Sequence, residues 1–377
     1  MNFDYNEEQE LLAESIRRFV DRDYAFATRK AIIASNDGYS RDVWATFAEI
    51  GLLGLPFAPD FGGFDGGAID MMSVMEAIGD ALVVEPYLST VGLGAQFVAR
   101  AGTPAQRERL LGAVVAGKLK LAFAQSEQGA RYNLAHIAVR ALKRNGEYVI
   151  DGEKCVVSDG PGADQLVVSA RTAGSATDVN GISLFVVDAH AHGVAMRCYR
   201  TLDGRRAADI AFAGVTVPAD ALIGTEGQAL ALIEDVTDYA TALICAEAVG
   251  AIKYANDATL EYLKTRRQFG VPLGAFQALQ HRMVDLVVSY EQAKSMASLA
   301  CATVDACNDP AERRRMVSAA KIKIADACRH VSQEAIQLHG GMGMSDELKV
   351  SHTFRRLTMI AQQFGDAEHH LERFANA

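Results

Sequence analysis

The apolar positions change period along the chain, and the changes divide it. From Leu230 onward, Leu230, Ile233, Val236, Ala240, Leu243, Ile244, Ala248 and Ala251 recur at helical spacing, which predicts a helix from Glu226 to about Thr265. A second helix is predicted from about Phe276 to Ala306. A third starts at Asp309-Pro310, a capping side chain followed by proline at the first helical position. It stops at the glycines of His339-Gly340-Gly341. Proline costs about 3 kcal/mol inside a helix, and beyond Pro218 only Pro272 and Pro310 occur. Long helices are therefore allowed throughout this part.

The middle reads with a shorter period. HIAVRAL, EYVIDGEKCVVS, QLVVSAR, GISLFVVD and AADIAFAGVTVP are short, β-branched and separated by turn residues. Asp151-Gly152, between two such runs, is a hairpin signal, and Asp203-Gly204 marks another turn. The residues before them are helical around a glycine-rich segment, GLLGLPFAPDFGGFDGG (51–67). No strand precedes that segment and no GxGxxG opens a helix, so a loop is expected rather than a dinucleotide-binding turn. The expected fold is α+β and mostly α. A helical domain spans 1–118, an antiparallel β domain 119–225, and a four-helix bundle 226–377.

Composition removes several function classes. Half of the residues are hydrophobic, far too many for a disordered chain. The net charge is -10 and no basic block occurs, which argues against a phosphate-backbone binder. The Arg313-Arg314-Arg315 run reads as a solvated helix face, with a CoA phosphate contact as the alternative. The six cysteines include no CxxC, and a chain of this size needs no disulfide staples, so a reducing, cytoplasmic setting is expected. The acidic N-terminal stretch has neither a basic leader region nor an apolar core, and no run is long enough for a membrane helix. His190 and His192 flank a turn, His369 and His370 are adjacent, and no metal-ligand spacing appears, so no metal is expected.

Three segments carry a family resemblance over essentially the whole chain. RRQFGVPLGAFQALQ (266–280), QLHGGMGM (337–344) and the strand run from Leu121 through EYVIDGEKCVVSDG to VTVPADALIG resemble the acyl-CoA dehydrogenase family. Within it, the chain resembles the pimeloyl-CoA dehydrogenase small subunit and the split steroid side-chain dehydrogenases, which work as heteromers. The resemblance implies FAD, an acyl-CoA substrate and a second dehydrogenase subunit in a heterotetramer. It makes electron-transfer flavoprotein a candidate partner, and lipid or steroid degradation the setting.

The same resemblance implies site residues. Arg266 matches an arginine that reaches the FAD pyrophosphate of a neighbouring subunit, and a guanidinium's paired donors suit that group. Gln268, Phe269 and Gln277 belong to the same motif. Gln337, Gly340 and Gly341 match residues that pack on the adenosine half, where a missing side chain permits close approach. Phe123, Gln125, Ser126 and Ser158 match the flavin cradle on the β domain.

Other positions depart from the family. The α,β-dehydrogenation needs a carboxylate close to Cα of the acyl thioester. In most members it is the Glu of a C-terminal Tyr-Glu-Gly-Thr segment, where this chain has Phe364 and Gly365. The alternative position, on the first bundle helix, is Ala240. Asp366 and Asp238 are the nearest acids, and each reads equally as a cap or a surface residue. A cradle close to Thr-Glu-Pro-x-x-Gly-Ser-Asp is replaced by Ser126-Glu127-Gln128-Gly129-Ala130-Arg131-Tyr132-Asn133, and an aromatic wall by Val156.

Residues offered across an interface are thus kept, while those of the chain's own active site are eroded. A subunit that completes a partner's FAD site, with the base supplied by the partner, is expected. The alternatives are a homomeric enzyme using Asp366, a flavin oxidase or monooxygenase on the same fold, and a non-catalytic stabilising subunit.

Overall fold

A computed structural model describes residues 7–377; the first six residues of the acidic N-terminal stretch lie outside it. Helices α1 (Glu7–Asp23), α2 (Phe26–Ala34), α3 (Arg41–Glu49), α4 (Ala68–Ala81), α5 (Ala95–Ala101) and α6 (Pro104–Val115) come first. Strands β1 (Leu121–Ala124), β2 (Arg140–Arg144), β3 (Glu147–Ser158), β4 (Gln165–Arg171), β5 (Ile182–Asp188), β6 (Val194–Arg200), β7 (Arg206–Pro218) and β8 (Leu222–Ile223) follow. The last part holds α7 (Leu230–Thr265), the β9–β10 hairpin (Arg267–Gln268 with Val271–Pro272), α8 (Gln277–Ala306), α9 (Pro310–His339), α10 (Lys349–Gln362) and α11 (Ala367–Ala375). No helix among the described residues is long and apolar enough to cross a membrane.

These elements form two compact units, 7–31 with 67–83 and 241–377, and 32–66 with 84–240. The first unit is helical. Where α4 and α7 cross, a Cβ on Gly79 would stand 1.9 Å from Glu247 O, and one on Gly250 1.8 Å from Glu76 O. Two glycines thus let the two backbones touch. Arg356 of α10 forms a buried two-pronged pair with Glu247 of α7, at 2.6 and 2.8 Å. Asp309 caps α9 through its side chain, as its sequence position predicts.

The second unit is built on an eight-stranded sheet with the main order β6-β7-β3-β2-β4-β5-β8, where β1 pairs with β4. The ladder is antiparallel except for the β1–β4 pair and a single β2–β4 bridge. Ile150, Leu166, Val168, Phe185, Val187 and Ile210 are in its core.

One local expectation changes. Asp151-Gly152 is no hairpin: β3 runs straight through it, with Asp151 opposite Arg140 and Gly152 opposite Phe212. Gly152 marks instead a register shift, at φ 133°, where a Cβ would approach Val139 Cα to 3.0 Å. The true hairpin turn is Asn145-Gly146, with both φ angles positive (52° and 86°). That is the twist a two-residue loop between β2 and β3 requires.

Candidate functional site

The sequence-derived residues fall into two sets, one in each unit. In the helical unit, α7 ends as Arg266 N–H closes onto Tyr262 O at 2.8 Å, and the hairpin follows. Tyr262 stacks on His339 at the end of α9, with ring centroids 4.5 Å apart. That contact brings Arg266 and the segment Gln337–Gly341 to one end of the unit. Arg266, Gln268, Gln277, Gln337, Gly340 and Gly341 are all exposed. Phe269 forms the hairpin turn at φ 54° and is 88% exposed, its ring 6.1 Å edge-on to Phe276.

The two glycines have different reasons. Gly340 adopts φ 59° and ψ -142°, a conformation essentially confined to glycine. Gly341 is in ordinary φ space, and a Cβ there would meet nothing within 4 Å. The helix stop therefore accounts for Gly340 and leaves Gly341 without a reason inside the chain.

In the sheet unit, Phe123 packs on Phe97 at 4.5 Å. Gln125 donates to Leu134 O at 2.9 Å, while its buried Oε1 has no hydrogen-bond partner among the described residues. Ser126 and Ser158 are exposed. The segment holding Gln125 and Ser126 is tied down by a buried ion pair. Lys154 Nζ lies 2.7 Å from Glu127 Oε1, and also donates to Gln125 O at 3.1 Å and Ser169 Oγ at 2.9 Å. Burial pulls the Lys154 ammonium down to about 8, against the opposing pull of Glu127. Glu127 also accepts from Ala138 and Val139 N–H, at 2.6 and 3.2 Å.

Beside this segment β3 bulges. Lys154 is opposite Ile210 and Val157 opposite Ala208, so Cys155 and Val156 together face Asp209. Val156 sits at φ 52°, which costs a β-branched residue of order 1–3 kcal/mol. Its side chain is 53% exposed. A cavity of about 650 Å³ opens here, with Gln128, Cys155, Val156, Arg197, Tyr199 and Asp209 among its walls. The bulge and its anchor were missed from sequence; only the position of Asp209 among small and apolar residues hinted at a role.

Gly365, where the sequence resemblance expects the family's base, is tightly enclosed. Gly365 has φ 123°, and a Cβ there would lie 2.5 Å from His369 Cδ2 and 2.7 Å from His370 Nε2. The backbone around it is fixed by Lys321, whose buried ammonium donates to Ile360 O, Ala361 O and Gly365 O at 2.9, 3.2 and 2.8 Å. His370 is 1% exposed and bridges Ser318 Oγ and Phe364 O. Burial drives its imidazole down to about 2, so it is neutral.

Of the neighbouring acids, Asp366 has a structural setting, while Asp238 is neither a cap nor a surface residue as expected but buried. Asp366 caps α11, accepting from His369 N–H at 2.9 Å. Asp238 and Ala240 are both buried in α7. Arg315 pairs with Glu312 and lies over Phe374, as a solvated face would.

Family models match the chain in three consecutive regions. They are the acyl-CoA dehydrogenase N-terminal domain over 6–118, the middle domain over 122–215 and the C-terminal domain over 230–377. The probable acyl-CoA dehydrogenase YngJ of Bacillus subtilis is 28% identical over 382 residues, spanning 100% of this chain and 99% of that protein. The caffeyl-CoA reductase-Etf complex subunit CarC of Acetobacterium woodii is 26% identical over 356 residues, 93% of each chain. Among solved structures, a variant of the Tcur3481-Tcur3483 steroid ACAD superposes with a TM-score of 0.87 at 27% identity, covering 98% of this chain and 97% of that one. PigA with FAD and proline superposes with a TM-score of 0.91 at 25% identity, covering 100% and 98%. Family membership and the FAD-bound relative imply FAD as cofactor. With its helical, β and helical regions all matched in order, this chain belongs to the acyl-CoA dehydrogenase family and is an oxidoreductase of that family.

Proposed function

We propose that this chain is an FAD-linked acyl-CoA dehydrogenase subunit that works in a cytoplasmic heteromer, with the catalytic base supplied by the partner subunit. The observation that carries this reading is at Gly365. The position where most members place their glutamate is closed to any side chain by His369 and His370, and Asp366 beside it is engaged as a helix cap. A base on this segment would require taking the α10–α11 junction apart.

The residues fit FAD. Arg266 offers paired donors for the pyrophosphate, with Gln268 and Gln277 in the same motif. Gly341 leaves room for the adenosine half to approach the backbone, and its lack of a side chain has no other reason in the fold. On the sheet unit, the exposed hydroxyls of Ser126 and Ser158 and the unbonded Gln125 Oε1 suit a polar ring edge. Bound FAD would accept the hydride from Cβ of the acyl chain. The role of this chain's residues is to bind and orient, while proton removal from Cα falls to the partner. The contrast between kept bundle residues and altered cradle residues favours a pimeloyl-CoA or steroid side-chain type of subunit, with bulky or dicarboxylic acyl chains as substrates. Electron-transfer flavoprotein is the proposed acceptor.

A homomeric reading has one observation in its favour, the unbonded Gln125 Oε1. Flavin content separates the two. The chain purified alone is expected to carry well below one FAD per chain by visible absorbance, and its partner's addition to restore flavin and acyl-CoA oxidation. One FAD per chain together with turnover in the isolated protein would replace the heteromer by the homomer.

A further inference from the structure

We infer that Asp209 is a positioning residue for the candidate site: by anchoring the β3 bulge it holds the 125–128 segment in place. The inference rests on the flavin reading above only for what that segment faces. At the bulge the ladder between β3 and β7 is broken, and Val156 N–H loses its strand partner. Asp209 Oδ1 replaces it, accepting that N–H at 3.0 Å. Asp209 is itself braced: Arg197 pairs with it, and Tyr199 donates its hydroxyl at 2.9 Å. All three residues come from β6 and β7, a frame independent of the 125–128 segment. The Arg197 bond and Val156 N–H hold the Asp209 carboxyl below the usual carboxylate range, so it stays an acceptor at working pH.

The consequence lies one residue earlier. The extra residue of the bulge turns Cys155 N–H away from β7 and onto Ser126 O, at 2.8 Å. The backbone bond that docks Ser126 thus exists only while the bulge keeps its shape. That shape includes a strained Val156, which relaxes unless something holds it. Asp209 is what holds it. A residue of β7 thereby sets the location of Ser126 and the outward aim of Val156, the position where the family carries its flavin-facing aromatic.

The test uses the full chain and reads amide hydrogen exchange at Val156 and Cys155. Asp209→Ala is expected to speed exchange at both amides by at least about tenfold, because a protecting hydrogen bond is lost at one and loosened at the other. Asp209→Asn keeps the acceptor oxygen and is expected to restore protection at both. Cys155 exchange at the wild-type rate in Asp209→Ala, or no rescue by Asn, would overturn the inference. If Asp209→Ala does not fold, Tyr199→Phe removes one brace only, and unchanged exchange at Val156 and Cys155 in that variant would overturn it equally. FAD titration followed by flavin fluorescence is run on the same proteins. Weaker binding by Asp209→Ala supports the role at the site, and equal binding removes it. A wild-type chain that takes up no FAD while Cys155 still responds to Asp209 would fell the flavin reading of this segment and leave the anchor standing.

Discussion

Gly365 and His370 are packed against each other: a Cβ at position 365 would lie 2.7 Å from the imidazole Nε2, too close unless one of them shifts. His370 in turn is fixed through Ser318 and Phe364. Gly365→Ala is therefore expected to lose stability from two causes, the clash and a φ of 123° that L-residues rarely adopt. Together these amount to about 2–4 kcal/mol. Urea unfolding measures it, and a midpoint equal to wild type would mean that this junction yields easily and could have held a carboxylate.

The same histidine makes stability fall with acid. His370 has its folded pKa pushed down to about 2, against an ordinary 6.5. Its unfolded form takes a proton as pH drops through 6.5, while the folded form does not. The stability tied to its neutral state is complete above pH 6.5 and is lost progressively below it, by about 2–3 kcal/mol at pH 4.5. Urea midpoints of wild type and His370→Asn across pH 4.5–7.5 test this. The variant should show the shallower dependence, and parallel curves would refute the assignment.

These two residues also show where sequence was informative and where it was not. The long helices were legible because their apolar spacing and terminal signals, such as Asp309-Pro310, agree with each other. The Arg266 and Gln337–Gly341 motifs stand out in the sequence because each is a contiguous run, and both fall at one end of the helical unit. Gly365 stood out as a glycine where the resemblance expects a glutamate, but its enclosure did not, because Lys321, which binds its carbonyl, and Ser318, which holds His370, come from another helix. Asp151-Gly152 misled because a dipeptide fits a bulge as well as a turn, and only the pairing of Gly152 with Phe212 decides. Lys154 and Glu127 carry no local sign of being an ion pair. A lysine inside a strand of alternating burial could have raised the question.

The Lys154–Glu127 pair should behave as a buried pair in which each partner depends on the other. Lys154→Met leaves Glu127 buried without its cation and is expected to cost about 3–5 kcal/mol. Adding Glu127→Gln should recover part of this, since the unpaired buried charge is gone and the amide oxygen still accepts from one of the two N–H groups, Ala138 or Val139, that the carboxylate divides between its two oxygens. A double-mutant cycle in urea gives the coupling. Strictly additive losses would show that the two side chains do not act together.

Arg266 is exposed, so its removal should leave the fold intact and act on flavin alone. Arg266→Ala is expected to unfold within about 1–2 °C of wild type, as surface changes do. In the assembled enzyme it should lower retained FAD by about tenfold or more, the loss of a charge-assisted pair. Flavin absorbance after gel filtration reads this. Unchanged flavin would place Arg266 outside the cofactor site and favour the simpler role of a cation at a helix end.

The proposed partner subunit would need a surface, and the helical unit offers an exposed apolar one on α8. Val287 and Val288 follow Val284 by one turn on α8, and the three are 48%, 48% and 58% exposed. Phe269 and Phe276 at the hairpin are also exposed, and the 76% exposed Met344 lies beyond the end of α9. An apolar helix face of this kind is unfavourable in water and is what an interface core covers. Val287→Asp would bury a charge in that core. It should lower the assembly's mass by light scattering and release flavin with it, while circular dichroism of the chain stays the same. An assembly of unchanged mass would mean that the partner docks elsewhere, and that Arg266 and Gly341 would have to serve a cofactor held within one chain.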